Sequence, residues 1–322
     1  MPEGHTIHRL ARRHAKTLGG QSVRASSPQG RFADGAALID GRTLVGTDAW
    51  GKHLFHRYVS KGGGTTPRTP RDSEMSTGGG TPARTPRNSE MFLHVHLGLY
   101  GKFAEGPLPA PEPRGALRLR LQGEASWLDL RGPITCEVIT RAEKDAVTAE
   151  LGPDPLRPRA DPARAQAKLA RSRTALGALL MNQTVLAGVG NVYRAEILFR
   201  HRVHPYLAGR DLDPVVWLDM WHDLVRLMRS GVRTGTIVTT DPDDRERRSG
   251  PARRIDAHYV YRRTGEPCRR CGTPIAHAVM VTRNLFWCPR CQPEPRDVSR
   301  GAGSELATLV ADPRLLSPEE DE

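Results

Sequence analysis

The chain has 322 residues, enough for two domains with real cores and a small appendage. It carries 48 Lys and Arg against 36 Asp and Glu, a net charge of +12, and no apolar run long enough for a signal peptide or a membrane span, which argues against secreted and membrane classes. The charge is uneven: residues 293–322 hold eight acids and three Arg, so about +17 falls on residues 1–292, a field that draws polyanions and nucleic acid above all.

In chain order, the spacing of Ile7, Leu10, Ala11 and Leu18 predicts a helix over residues 3–18, stopped by Gly19 and Gly20. Pro2 suits the first helical position. If Met1 is removed, Pro2 is also a free secondary amine, of lower pKa than Lys, and a helix dipole lowers it further. Such an amine attacking an aldehyde carbon gives a cationic iminium, an electron sink that favours elimination, and Glu3 beside it is placed to move protons. A plain helix start remains the alternative. Strands are predicted at 53–59, at 92–101 and over "LRLRLQGEASWLDL", where Leu117, Leu119 and Leu121 alternate with polar residues before a turn at Gly123. Residues 1–140 thus read as mostly β with a leading helix.

Between the first two strands, "GGGTTPRTPRDSEM" (62–75) is followed by the near-duplicate "GGGTPARTPRNSEM" (78–91). Neither copy can bury a core, so 61–91 reads as a disordered insertion. It joins strand ends that lie roughly 25 Å from the Lys52 end. "GPDPLRPRADP" (152–162) reads as a linker and domain boundary. Helical patterns follow at 176–203, broken by "AGVGN", and at 214–232, where Val215, Leu218, Trp221, Val225 and Met228 form an apolar stripe facing a core. Residues 239–254 read as a polar loop and 293–322 as a weakly ordered acidic tail.

Cys268-x2-Cys271 and Cys288-x2-Cys291 form two knuckles, the spacing of a tetrahedral Zn²⁺ with no open position, hence one structural ion. Arg283 lies just before the second knuckle, where a stiff β-ribbon could present it to phosphate. Asn191, after Gly188 and Gly190, is an N-cap candidate, and that glycine-rich turn offers backbone N–H groups to an anion. Lys52 opens a strand. His94 and His96 alternate on another, with ordinary packing the simplest reading, and Cys136 reads as a buried strand residue.

These pieces, in order, resemble the Fpg/Nei family of base-excision DNA glycosylases: "MPEG", "GK" before a strand, "HLGLYG", "GVGNVYRAE", "YVYRRTGEPCRRCG" and "RNLFWCPRCQ". "MPEGHT" and "SPQGRFADG" resemble most the actinobacterial endonuclease VIII-like branch. The resemblance implies an α+β multidomain protein: an N-terminal β-sandwich with a leading helix (1–150), a helix-two-turn-helix domain (151–256) and a zinc-ribbon hairpin (257–292). It implies a bifunctional DNA glycosylase/AP lyase that flips a damaged base from the duplex. Pro2 would attack C1′, Glu3 would protonate the sugar ring oxygen, and Lys52 would hold the backbone near the lesion. Asn191 and Arg283 would grip phosphates, and Leu99 and Tyr100 would fill the gap in the duplex. The expected substrates are oxidised pyrimidines and hydantoins, with β,δ-elimination after base release. The expected partner is damaged duplex DNA, with single-stranded DNA also open, and the expected enzyme is a cytoplasmic monomer. The chain departs from many relatives at His5 and Thr6, where they carry Pro-Glu, and at Gly98, where some carry a polar residue. A non-catalytic zinc-ribbon DNA-binding protein is the alternative. A zinc hydrolase does not fit four cysteine ligands.

Overall fold

The computed structural model describes residues 2–60 and 90–294. Met1, the tandem repeat up to residue 89 and the tail from 295 lie outside the described residues, and so do the expectations of disorder placed there. The first helix, α1 (Gly4–Leu18), is followed by β1 (Arg24–Ser26), α2 (Ala33–Ile39), β2 (Thr43–Trp50), β3 (His53–Val59), β4 (Met91–His96), β5 (Lys102–Pro107), β6 (Leu117–Gln122), β7 (Ser126–Arg131) and β8 (Thr135–Ile139). The strands make two four-stranded sheets, ordered β2-β3-β4-β8 and β1-β6-β7-β5, with every pairing antiparallel.

Alternation drives the sandwich. Leu119 and Leu121 of β6 meet Leu54, Tyr58, Leu93 and Val95 of the other sheet in one core, which α1 joins through Ile7, Ala11 and Leu18. The strand expected over 92–101 stops at His96, because Gly98 at φ +66° turns the chain away from the sheet. Pro2 is not helical either. Glu3 is the extended N-cap, at φ −118° and ψ 178°, and the helix begins at Gly4.

The second half contains α3 (Arg141–Ala149), α4 (Pro162–Leu169), α5 (Leu176–Leu179), α6 (Asn191–Arg200), α7 (Pro214–Thr234) and the hairpin β9 (Ala276–Met280) and β10 (Arg283–Trp287). The expected stripe on α7 is only partly right. Trp221 and Met228 are buried, but Val215 and Leu218 are exposed, and the buried face runs instead through Trp217, Met220, Leu224 and Leu227. The reason lies at the first turn: Asp213 caps it at the solvent edge, and the Trp217 indole, bonded to the Pro162 carbonyl, fixes which side turns inward. α6 is the hub. All its residues from Asn191 to Phe199 are buried, and the Glu196 carboxylate accepts the backbone N–H groups of Tyr259, Val260 and Tyr261, fastening the zinc hairpin's approach to the helical domain.

The stretch 152–162 is not a loose linker over its first part. Residues 151–155 are buried, and Asp154 is fully so.

Candidate active site

The site is assembled where three chain segments meet with no side chain between them. An ideal Cβ on Gly4 would lie 2.9 Å from the Gly188 Cα, and one on Gly51 would lie 3.0 Å from the Gly188 nitrogen. Gly188 itself sits at φ +90°, and the Gly4 N–H donates to its carbonyl at 2.8 Å. Each of these glycines neighbours a residue of interest: Glu3 before Gly4, Lys52 after Gly51, and the start of α6 after Gly188. Close backbone contact is therefore what gathers the site.

Glu3 fills the N-terminus of α6. Its Oε1 accepts the Val192 N–H at 2.8 Å, and its Oε2 accepts the N–H groups of Gly190 and Tyr193 at 2.9 and 3.4 Å. The anion that the glycine turn was expected to attract is thus the protein's own carboxylate, set there by the extended Glu3 backbone. Burial raises its pKa above the usual carboxylate range, against the opposing pull of Lys52 and the three backbone donors. Lys52 is shifted downward, first by burial and further by Arg283, while Glu3 opposes the shift. These couplings place Glu3, Lys52 and Arg283 in one electrostatic neighbourhood. Pro2, half-buried, leads directly into Glu3.

Asn191 is not the N-cap of α6. Gly190 is, and Asn191 is the first helical residue. Its Oδ1 accepts from the buried Arg194 guanidinium, which also donates to the Asn284 carbonyl at 2.9 Å. Asn284 follows Arg283, so this pair anchors the hairpin tip to the helix. Arg283 is exposed, immediately after Val281 and Thr282, which close the hairpin at φ 51° and 57°. Leu99 and Tyr100 stand exposed on the turn after β4, Tyr100 at 82%.

Several residues escaped the sequence reading. Asp154 accepts the Gly51 N–H at 2.7 Å, the Leu156 N–H at 2.8 Å and a bond from His8 Nε2 at 2.7 Å, so it pins the Lys52 turn to α1. Its burial was hidden by a Pro-rich context that reads as linker. Ile134, in the β7–β8 turn, is 71% exposed and packs over Gly98, where an added Cβ would meet its Cγ2 at 2.6 Å. Leu99 and Ile134 are thus both exposed apolar side chains beside the Gly98 turn. His5 is buried against Tyr193, edge to face at 5.5 Å, and its pKa is lowered to about 4 by burial and nearby positive charge.

The sulfur atoms of Cys268, Cys271, Cys288 and Cys291 lie within 4.8 Å of one another, with Cys268 to Cys291 at 3.9 Å and Cys271 to Cys288 at 3.4 Å. Four thiolates bonded to Zn²⁺ at about 2.3 Å would sit close to this spacing, so the set fits a structural metal. The Cys291 N–H points to the Cys288 sulfur at 3.4 Å, and the Gln292 side chain ties the knuckle to the Val203 carbonyl at 2.8 Å.

Residues 151–243 match the formamidopyrimidine-DNA glycosylase H2TH domain, and residues 265–293 match the zinc finger found in FPG and IleRS. Endonuclease 8 1 of Mycobacterium tuberculosis is 47% identical over 296 residues, covering 91% of this chain and all of that protein. This chain belongs to the Fpg/Nei family. Its enzyme class is DNA glycosylase/AP lyase, and a zinc finger and DNA binding come with that membership. A formamidopyrimidine-DNA glycosylase of a Mycobacterium species is 29% identical over 92% of the chain and 98% of its own length. Among solved structures, the Lactococcus lactis Fpg (MutM) in complex with DNA containing N7-benzyl-Fapy-dG aligns with a TM-score of 0.70 at 21% identity, over 91% of this chain and all of that one. The Thermus thermophilus MutM aligns at 0.67 and 26% over the same shares. The α+β architecture expected from the sequence is the fold of this Fpg/Nei protein. Among the described residues, no helix is long and apolar enough to cross a membrane.

Proposed function

We propose that this Fpg/Nei protein excises oxidised bases, pyrimidines and hydantoins foremost, and then cuts the strand by β,δ-elimination through an iminium on Pro2. The observation that carries the reading is the buried Glu3 carboxyl seated on the α6 N-terminus, beside Lys52 and directly after Pro2. Burial shifts this carboxyl toward its protonated form relative to an exposed glutamate, and we assign it the protonation of the sugar ring oxygen as the base leaves. With Met1 removed, the Pro2 amine would bond to C1′ as the C1′–base bond breaks, giving a cationic iminium. Loss of the C2′ proton then expels the 3′ phosphate, and a second elimination expels the 5′ phosphate.

Lys52, Asn191 and Arg283 would hold phosphates flanking the flipped nucleotide, while Leu99, Tyr100 and Ile134 would occupy the emptied stack. The four cysteines would hold one Zn²⁺, which supplies no chemistry and fixes the hairpin that aims Arg283. We also propose domains at 1–150, 151–256 and 257–292, supported by the separate apolar cores of sandwich, helices and hairpin. We take the enzyme to be a cytoplasmic monomer acting on duplex DNA, a location that suits the metal-binding thiols, with single-stranded DNA a further substrate.

The test is end-group analysis of a labelled duplex bearing one thymine glycol. A one-nucleotide gap with phosphate at both ends is expected. Intact strand carrying an abasic site, or a product with only one phosphate end, would contradict the elimination sequence.

A further inference from the structure

The outer face of the β2-β3-β4-β8 sheet carries a line of titratable side chains that ends beside Lys52 and that the reaction above does not use. Strand register produces it. His53 pairs with His96, Phe55 with His94, and His94 with Glu137, while Leu54 and Val95 between them point into the sandwich core. His53 Nδ1 lies 2.9 Å from His94 Nε2, and His94 Nδ1 lies 2.8 Å from Glu137 Oε1. The rings are held by stacking: His94 lies 5.1 Å from His53 at 18° and 4.8 Å from Phe55 at 16°.

The hydrogen-bond directions follow from the far end. An ionised carboxylate only accepts, so His94 donates from Nδ1. Its Nε2 is then bare and accepts from His53 Nδ1, which leaves His53 Nε2 with a free lone pair. His96 is set the other way, because its Nδ1 accepts the Gly98 N–H at 3.2 Å. Burial of the line grades outward: the His94 side chain is 5% exposed and that of Glu137 is 51% exposed. The line therefore runs from His53, next in the chain to Lys52, through the buried His94 to the exposed Glu137.

Duplex DNA in the cleft would seal the already buried Glu3 from water, yet base release and elimination each move a proton. We propose that His53, His94 and Glu137 form a back-door proton route between the Lys52 corner and solvent. The route rests on the proposed function above. In the outward direction, His53 Nε2 takes a proton, the Nδ1 proton passes to His94 Nε2, and the His94 Nδ1 proton passes to the Glu137 carboxylate, which releases it to water. Each ring is left with its proton on the other nitrogen, so the next transfer runs inward, and the route serves one outward and one inward proton in alternation. The charged and titratable groups facing the line are Lys52 from the turn, His96 from β4 and, over Phe55, Lys144 from α3. Burial and these neighbours keep His53 and His96 neutral near pH 7, at about 3 and 4, and burial lowers His94 as well. A ring that stayed charged would stall the transfer.

Glu137→Gln separates transfer from structure. Its amide oxygen still accepts from His94 Nδ1, but it takes no proton. His94→Phe keeps the stack and cuts the line. Single-turnover cleavage of abasic duplex, measured across the neutral pH range with duplex affinity and thermal midpoint alongside, is expected to slow about tenfold in both variants. Affinity and midpoint should hold, and free imidazole should restore part of the Glu137→Gln rate without changing the wild type. A Glu137→Gln rate equal to wild type at every pH overturns the route, as does a loss explained by a fallen affinity or midpoint. If His94→Phe does not fold, Glu137→Gln decides alone. A wild-type chain that binds the duplex without cutting it removes the proposed function, and the route with it, a result distinguishable because no variant is needed to see it.

Discussion

At the scale of single residues, the site is organised by two buried carboxylates with opposite tasks. Glu3 is the proton donor of the proposed reaction, while Asp154 holds the Gly51–Lys52 turn against His8 of α1. Asp154→Asn keeps the shape but removes the charge and turns an amide N–H₂ toward at least one of the three donors, Gly51, Leu156 and His8. Leaving a buried donor unpaired costs about 1–3 kcal/mol, and Lys52 loses its fixed position. The expected outcome is a lower urea midpoint and slower cleavage of abasic DNA. Unchanged cleavage at full stability would show that the turn does not depend on Asp154. His5, which stands where many relatives carry Pro, is a neutral ring packed on Tyr193, and its Nδ1 is buried with no partner among the described residues.

At the scale of elements, α6 does most of the positioning. Its N-terminus takes Glu3, its Arg194 takes Asn191 and the hairpin, and its Glu196 takes the chain entering the zinc domain. The hairpin cannot hold its shape through that contact alone, since its own core is small and its tip places two β-branched residues at positive φ. Removing the metal with a chelator is expected to unfold the hairpin and weaken duplex binding by at least tenfold, recovered on adding Zn²⁺. Binding that survives full metal removal would show that Arg283 is held by α6 instead.

This scale is also where the sequence was most and least legible. Strands β3, β4, β6 and β7, the cysteine knuckles and the glycine turn before α6 have local signatures, while β1, β2 and β5 do not stand out in the sequence. The buried face of α7 was misjudged because Val215 and Leu218 are as apolar as the residues that do turn inward; only Trp217's bond to a distant carbonyl decides between the two faces. The 152–162 stretch was misread for a similar reason: Asp154 is buried by partners 103 and 146 residues away, which composition cannot reveal. Asn191 was taken for a cap because the true occupant of that helix end, Glu3, arrives from the far end of the chain.

At the scale of the whole molecule, the basic body and the buried histidines set the response to solution conditions. His5, His53, His56 and His96 are lowered to about 4, 3, 4 and 4, chiefly by burial, and His14 and His94 are lowered as well. The unfolded chain thus binds more protons than the folded one at every pH from about 6.5 down to these values, so stability falls as pH falls through that window. The urea midpoint should drop steadily from pH 7.5 to pH 5; a flat or rising midpoint would mean that these rings are not buried as neutral groups.

Whether the Pro2 amine is the nucleophile is decided by borohydride reduction on abasic-site duplex. A covalent protein–DNA adduct is expected, its mass and peptide map placing the link on Pro2, with Met1 gone. No adduct from protein shown to begin at Pro2, or an adduct mapped to Lys52, would contradict it.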